Sequence, residues 1–142
     1  PWSDATKQAR AKLGDVTLIT TDEVLSGLSR GGSTLRRNAV RMVREILNDP
    51  SVEVIPQTRE GFLGGMALYE VRDDKSYSLV DCISMNAMRS KHVTAVLTND
   101  RHFEQEGFEV LGSRNEPERR IRGALRDFGH SNSLINSGSL VP

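Results

Sequence analysis

Short apolar runs rich in β-branched residues recur along the chain, and segments with apolar residues three and four positions apart separate them. Such runs predict strands, whereas the wider spacing predicts amphipathic helices. The predicted strands are 16–20, 52–56, 93–98 and 108–111. The predicted helices are 4–13, a short one capped by Asp22, 35–49 after a cap at Ser33 or Thr34, 58–71, 78–90, 100–107 and 114–127. Alternating strands and helices predict an α/β fold, a three-layer α/β/α sandwich around a mainly parallel sheet.

The bulk composition predicts one ordinary globular domain over residues 1–142, in which 113–132 is a connector with a helix. The 19 basic and 19 acidic residues cancel, so the net charge does not indicate an acidic partner. Arginines nevertheless cluster locally, and Arg36, Arg37 and Arg41 are candidate RNA contacts, with a merely solvated helix face as the alternative. A single cysteine and no apolar run of membrane-spanning length predict a soluble, cytoplasmic protein without a membrane partner.

Two segments carry candidate chemistry. In "SYSLVDCISMNAM", Ser78 and Asp81 have the spacing of a capping box, so Asp81 could serve the helix alone or also face a cleft. In "VLTNDRHF", Thr98 and Asn99 end a buried strand and Asp100 opens the next helix, either as a cap or as a displayed carboxylate. Polar residues at the carboxyl ends of parallel strands commonly form the site of an α/β protein.

Two carboxylates that reach one cleft favour a hard divalent cation, Mg²⁺ or Mn²⁺, because such ions prefer oxygen ligands and bridge to phosphate. We therefore expect Asp81 and Asp100 to bind metal, with Ser78, Thr98 and Asn99 in support. His102 is close to Asp100 in sequence, but we expect it to lie on a helix surface. The other two histidines make no cluster, so a zinc site is not expected. A nucleophile elbow, a P-loop and a dinucleotide fingerprint are all absent from the sequence.

Three stretches, "TLITTDEVL", "DKSYSLVDCISM" and "VLTNDRHFEQEGFEVL", occur in an order and spacing that resemble the PIN-domain family, in particular the VapC-type toxin ribonucleases of toxin–antitoxin systems. The resemblance covers most of residues 1–112. It implies a parallel sheet with the family's first strand at its centre and four acidic residues that bind Mg²⁺ or Mn²⁺. It also implies endonucleolytic cleavage of single-stranded or structured RNA, an antitoxin protein as partner, and a homodimer.

The tail segment "LINSGSLV" resembles the family's first strand, with Asn136 where the first metal-binding aspartate is expected and Ser137 after it. The chain therefore resembles a circularly permuted PIN domain in which residues 133–141 supply that strand. A sheet without its central strand would leave backbone groups of both neighbours unpaired in the core, which favours this interpretation. The alternative is that "GSLVP" is the remnant of a protease-site tag.

Two departures from the family weaken the expected site. Asn136 replaces an aspartate, and Gly27 stands near the position of a glutamate. An amide is a poor ligand for Mg²⁺, so a catalytic set of Asp81, Asp100 and Asn136 predicts a ribonuclease with impaired activity. The alternative is an inactive PIN module that binds RNA or an antitoxin. A receiver-type signalling domain is disfavoured, because no acid follows the strand "VEVIP".

Overall fold

The computed structural model describes residues 17–28, 32–98, 100–111 and 133–135. Within them, the strands are β1 (Thr17–Thr21), β2 (Val52–Ile55), β3 (Ala95–Leu97), β4 (Glu109–Leu111) and β5 (Ser133–Ile135). The helices are α1 (Asp22–Gly27), α2 (Ser33–Leu47), α3 (Arg59–Val71), α4 (Leu79–Ser90) and α5 (His102–Gln105). The predicted helices 4–13 and 114–127 lie outside the described residues, as do Asn99 and residues 136–142.

The five strands form one sheet in the order β2-β1-β5-β3-β4, and every pair is parallel. The prediction of an α/β fold with a parallel sheet is confirmed. Ile135 of β5 is paired with Ile19 of β1 on one side and with Val96 of β3 on the other. Residues 133–135 thus form the central strand, as the sequence predicted for the start of the 133–141 segment. The tag alternative concerns 138–142, which lie outside the described residues.

Helix starts differ from the sequence predictions at two places. Thr21, not Asp22, caps α1, because the Thr21 hydroxyl accepts the Val24 N–H at 3.3 Å. Asp22 instead accepts the Gln57 N–H at 2.9 Å and ties α1 to the segment after β2. Helix α2 begins after Gly32, which gives no side-chain hydrogen bond, so the expected cap at Ser33 or Thr34 is wrong.

The turn between α4 and β3 explains why β3 begins later than predicted. His92 has φ 54°, in the left-handed region. The N–H of Val93 then donates to Met88 O at 2.9 Å and that of His92 to Arg89 O at 3.2 Å, the paired bonds of a Schellman motif. Val93 is therefore used to close the helix and is not part of the ladder.

The core lies between the sheet and the helices of the α3–α5 segment. Met85, Met88 and Phe103 are fully buried in it beside Val96 of the sheet. Helix α3 packs on α4 at Gly65, where a Cβ would lie 3.3 Å from the Ile83 backbone. The absence of a side chain at Gly65 thus permits the close approach of the two helices. Among the described residues, no helix is long and apolar enough to cross a membrane.

Candidate functional site

Asp81 and Asp100 meet at the carboxyl edge of the sheet. Asp81 lies in the first turn of α4, and Asp100 follows β3 after the buried Thr98. Each of these carboxylates, together with the ring of His102, offers one ligand atom, and the three atoms lie within 4.8 Å of one another. The structure therefore brings together the two acids that the sequence singled out, and it adds a histidine.

A capping box fixes Asp81. Its Oδ2 accepts the Ser78 N–H at 2.8 Å and the Ser78 hydroxyl at 2.7 Å, while its own N–H donates to Ser78 Oγ at 3.1 Å. These bonds use one of the two carboxylate oxygens. The helix-cap role and a role in the cleft are therefore compatible, because the cap orients the carboxylate without occupying both oxygens.

Asp100 is held from two sides. Its N–H donates to Thr98 Oγ1 at 3.1 Å, and its Oδ1 accepts the His102 N–H at 2.9 Å. The N-cap of α5 is Arg101, which makes no side-chain cap bond, so the expectation that Asp100 itself caps the helix is not met, although its carboxylate accepts the first N–H of α5. His102 Nδ1 also lies 3.1 Å from Asp100 Oδ2 and 3.0 Å from Oδ1, so the ring itself contacts the carboxylate.

His102 lies on α5 and is partly exposed, in line with the expected helix-surface position, but its ring also contacts Asp100. Its side chain is 31% exposed and its ring lies 5.5 Å from the Tyr77 ring, tilted by 60°. Arg101 alone separates Asp100 from α5, and the bond from the His102 N–H to Asp100 Oδ1 brings the ring close to the acidic pair. The Asp-x-His spacing is the sequence signal for this contact.

Behind His102 lies a buried ionic network centred on Glu106, which the sequence did not reveal. Glu106 has a side chain only 4% exposed and binds Arg72 Nε at 2.7 Å and Arg89 Nη2 at 2.6 Å. The Tyr77 hydroxyl donates to the same carboxylate at 3.2 Å. Burial alone would raise the pKa of Glu106, but hydrogen bonds from Arg72, Arg89 and Tyr77 outweigh it, so the pKa lies below its usual 4.5.

Two neutral groups flank the site. Burial raises the pKa of the Tyr77 hydroxyl, and the charge of Glu106 raises it further, so Tyr77 stays a hydrogen-bond donor. The pKa of the fully buried Cys82 thiol is also raised, first by burial and then by Asp81. A thiol of this kind is a poor nucleophile, and Cys82 belongs to the hydrophobic core.

The remaining predicted site residues divide into two groups. Asn99, Asn136 and Ser137 lie outside the described residues. The arginines Arg36, Arg37 and Arg41 are exposed on α2 and do not belong to the Asp81–Asp100–His102 cluster. They line an open groove on that helix together with Val40, Arg44, Glu45 and Asn48.

Comparison of the chain with models of known protein families, with curated proteins and with solved structures found no match. The chemistry of the site is therefore inferred from its own donor set. Two carboxylates and one imidazole at this separation fit a divalent cation, since carboxylates suit Mg²⁺ and Mn²⁺ and an imidazole suits transition metals. Asp81 and Asp100 are the residues that would hold it.

Proposed function

We propose that the chain is a PIN-like, metal-dependent endoribonuclease of the VapC toxin type, built as a three-layer α/β/α sandwich, whose activity is reduced by missing acids. The observation that carries this proposal is the position of β5 between β1 and β3. A PIN-like sheet needs its first strand at that position. The meeting of Asp81 and Asp100 at the carboxyl edge of the same sheet supports it further.

The strand register supports a role for Asn136. Ile135, the last described residue of β5, pairs with Val96, and Asp100 follows β3 shortly afterwards. The described part of β5 therefore runs parallel to the strand whose carboxyl end leads to Asp100. We infer from the resemblance that Asn136 stands where the family has a third carboxylate, and that its neutral amide weakens cation binding.

Each residue of the site would have a separate role in this reaction. Asp81 and Asp100 hold Mg²⁺ or Mn²⁺, which when bound lowers the pKa of a water molecule and neutralises charge on the scissile phosphate. Ser78 fixes the orientation of Asp81, and Thr98 fixes the backbone of Asp100. These positioning contacts keep the two anions close together before substrate arrives, which lowers the cost of ordering the site.

The direct test is cleavage of single-stranded RNA in the presence of Mn²⁺. We expect slow cleavage that Asp81→Asn and Asp100→Asn each reduce at least about 100-fold, the scale on which charge-stabilising groups act. Asp74→Asn is the matched control, because the Asp74 side chain is 60% exposed and, among the described residues, forms an ion pair with the neighbouring Lys75 at 3.3 Å. Cleavage that survives both site variants would refute the proposal.

A gain-of-function variant tests the role of β5. Asn136→Asp should raise the cleavage rate and tighten Mn²⁺ binding, because it adds an anionic oxygen ligand. Ser139→Asp, which adds the same charge to the same tail, is its control. Equal effects of the two variants would mean that general charge, and not a metal ligand, is responsible.

A second candidate function is an inactive PIN module that binds RNA or an acidic antitoxin segment. The arginine groove of α2 favours it, because four exposed arginines there are opposed by one glutamate. Replacing Arg36, Arg37 and Arg41 by Gln should weaken RNA binding and reduce its salt dependence by roughly one unit of slope per lost phosphate contact. Arg59→Gln on α3 is the control. We propose an antitoxin partner, a homodimer and a cytoplasmic location together with either candidate function.

A further inference from the structure

His102 is already held in place in the structure, although the ring is partly exposed. It is the first residue of α5, and its N–H is bonded to Asp100. Its ring packs against Tyr77, whose hydroxyl is bonded to the buried Glu106. A side chain fixed in this way loses little conformational entropy when it binds a ligand.

The separation of the donor atoms suits a shared cation. His102 Nδ1 lies 3.0 Å from Asp100 Oδ1. Two atoms that bind one metal ion at about 2.1 Å and at a right angle are also about 3 Å apart. A cation could therefore replace the ring–carboxylate contact with little movement of either group, and Asp81 lies within reach of the same point.

We propose that His102 is a third metal ligand and that the site selects a transition-metal dication, such as Mn²⁺, over Mg²⁺. The inference rests on the proposed function, because it concerns the same cation. An imidazole nitrogen is a poor ligand for Mg²⁺, which demands oxygen, and a good one for first-row transition metals. The neutral imidazole of His102 would also supply the cation with one more ligand in place of a missing carboxylate, although it adds no negative charge.

Metal binding to the full chain tests this without RNA and without activity. At pH 7.5, Mn²⁺ alone is titrated and followed by electron paramagnetic resonance, with Mg²⁺ as a competitor. We expect Mn²⁺ to bind at least about 10-fold more tightly than Mg²⁺. Electron spin-echo measurements should show coupling of the bound Mn²⁺ to a ring nitrogen.

Two variants remove the nitrogen. His102→Phe keeps a ring against Tyr77, and His102→Asn replaces the ring by a small polar group. Both should abolish the nitrogen coupling and weaken Mn²⁺ binding about 10- to 100-fold, while Mg²⁺ binding changes less than about 3-fold. His92→Asn is the matched control, because it removes a histidine from a turn whose positive φ asparagine tolerates.

The outcomes separate the two proposals. Mn²⁺ that binds through Asp81 and Asp100 without nitrogen coupling, and equally well in His102→Phe, would overturn the inference and leave the proposed function standing. A chain that binds neither Mn²⁺ nor Mg²⁺ would overturn both. Coupling that persists in both His102 variants would assign the nitrogen to another histidine and would also overturn the inference.

Discussion

Helices α2 and α4 differ at both ends and along their length. Helix α4 begins with the Ser78–Asp81 capping box and ends in the Schellman turn at His92. Helix α2 begins after Gly32, which caps it without a side-chain hydrogen bond. Helix α4 buries most of one face, including Cys82, Met85 and Met88. Helix α2 buries Ala39 and Ile46, but Leu35 and Leu47 are 57% and 55% exposed.

This contrast shows which parts of the molecule can keep a functional group in a fixed position. Asp81 lies on a helix that has a capping box at its start, a Schellman turn at its end and one buried face. The arginines of α2 are on a helix with little to hold their side chains, which suits contacts that require charge but no single geometry. Four pairs of variants follow, from the largest expected effect to the smallest; two compare α4 with α2 directly, and two compare a tightly packed position with a more open one.

The largest difference is expected between Met85→Ala on α4 and Leu35→Ala on α2. Met85 is 0% exposed, so its truncation leaves a cavity and should cost about 2–5 kcal/mol of unfolding free energy. Leu35 is mostly in solvent, so its truncation should change stability by less than about 0.5 kcal/mol. Urea denaturation measures both. Equal losses would mean that α2 packs as tightly as α4.

The close approach of α3 to α4 can be broken at one glycine and not at its neighbour. Gly65→Ala places a methyl group against Ile83 and should cost about 1–3 kcal/mol. At Gly64 the nearest atom is Asn86 Nδ2 at 3.5 Å, an ordinary contact. Gly64→Ala should therefore be neutral or stabilise by up to about 1 kcal/mol, since alanine favours helix. Similar losses of unfolding free energy in the two variants would contradict the close contact between Gly65 and Ile83.

Helix starts give a smaller pair of opposite effects. Ser78→Ala removes the α4 cap and should cost about 1 kcal/mol. Gly32→Ser supplies the side-chain cap that α2 lacks and should raise the free energy of unfolding by about 0.3 kcal/mol. The added side chain fits, because a Cβ at Gly32 meets nothing within 4 Å. Thermal unfolding of the two variants measures the difference, and a loss at Gly32 would show that α2 starts elsewhere.

The smallest effect is expected in the acid dependence of stability. The pKa of Glu106 is lowered below 4.5 in the folded state, so its stabilising contribution is complete above the unfolded pKa and is lost as pH falls through the folded value. Glu106→Gln should therefore flatten the loss of stability below about pH 4.5. The control is Glu45→Gln on α2, which removes an exposed carboxylate and leaves the Glu106 network intact.

Local patterns were sufficient for much of this structure. Alternation of apolar runs and helical spacing predicted β1 to β4, and the S-x-x-D spacing predicted the capping box at Ser78 and Asp81. The central position of 133–135 was predicted by the resemblance of "LINSGSLV" to the family's first strand, and the need to pair the inner backbone groups of a parallel sheet supported it. The strands and the capping box depend only on neighbouring residues.

The features that the sequence did not reveal depend on distant partners. Glu106 is bonded to Arg72, 34 positions away, and to Arg89, 17 positions away, so no periodic pattern marks it. The ring of His102 is positioned by contacts with both Tyr77 and Asp100. Helical spacing identifies an apolar stripe that includes Leu35 and Leu47, but it does not show whether another element covers the ends of that stripe, and both side chains are exposed.

The central strand also has a consequence for biosynthesis. Thr17 and Ser133 are partners in one ladder, and β5 is the only described strand that joins the β2–β1 pair to the β3–β4 pair. A ribosome makes both pairs before it makes β5, because β4 ends at Leu111 and β5 begins at Ser133. Until that strand emerges, the nascent chain carries two open edges that recognise the same short segment, so a chaperone or a neighbouring nascent chain can compete for them.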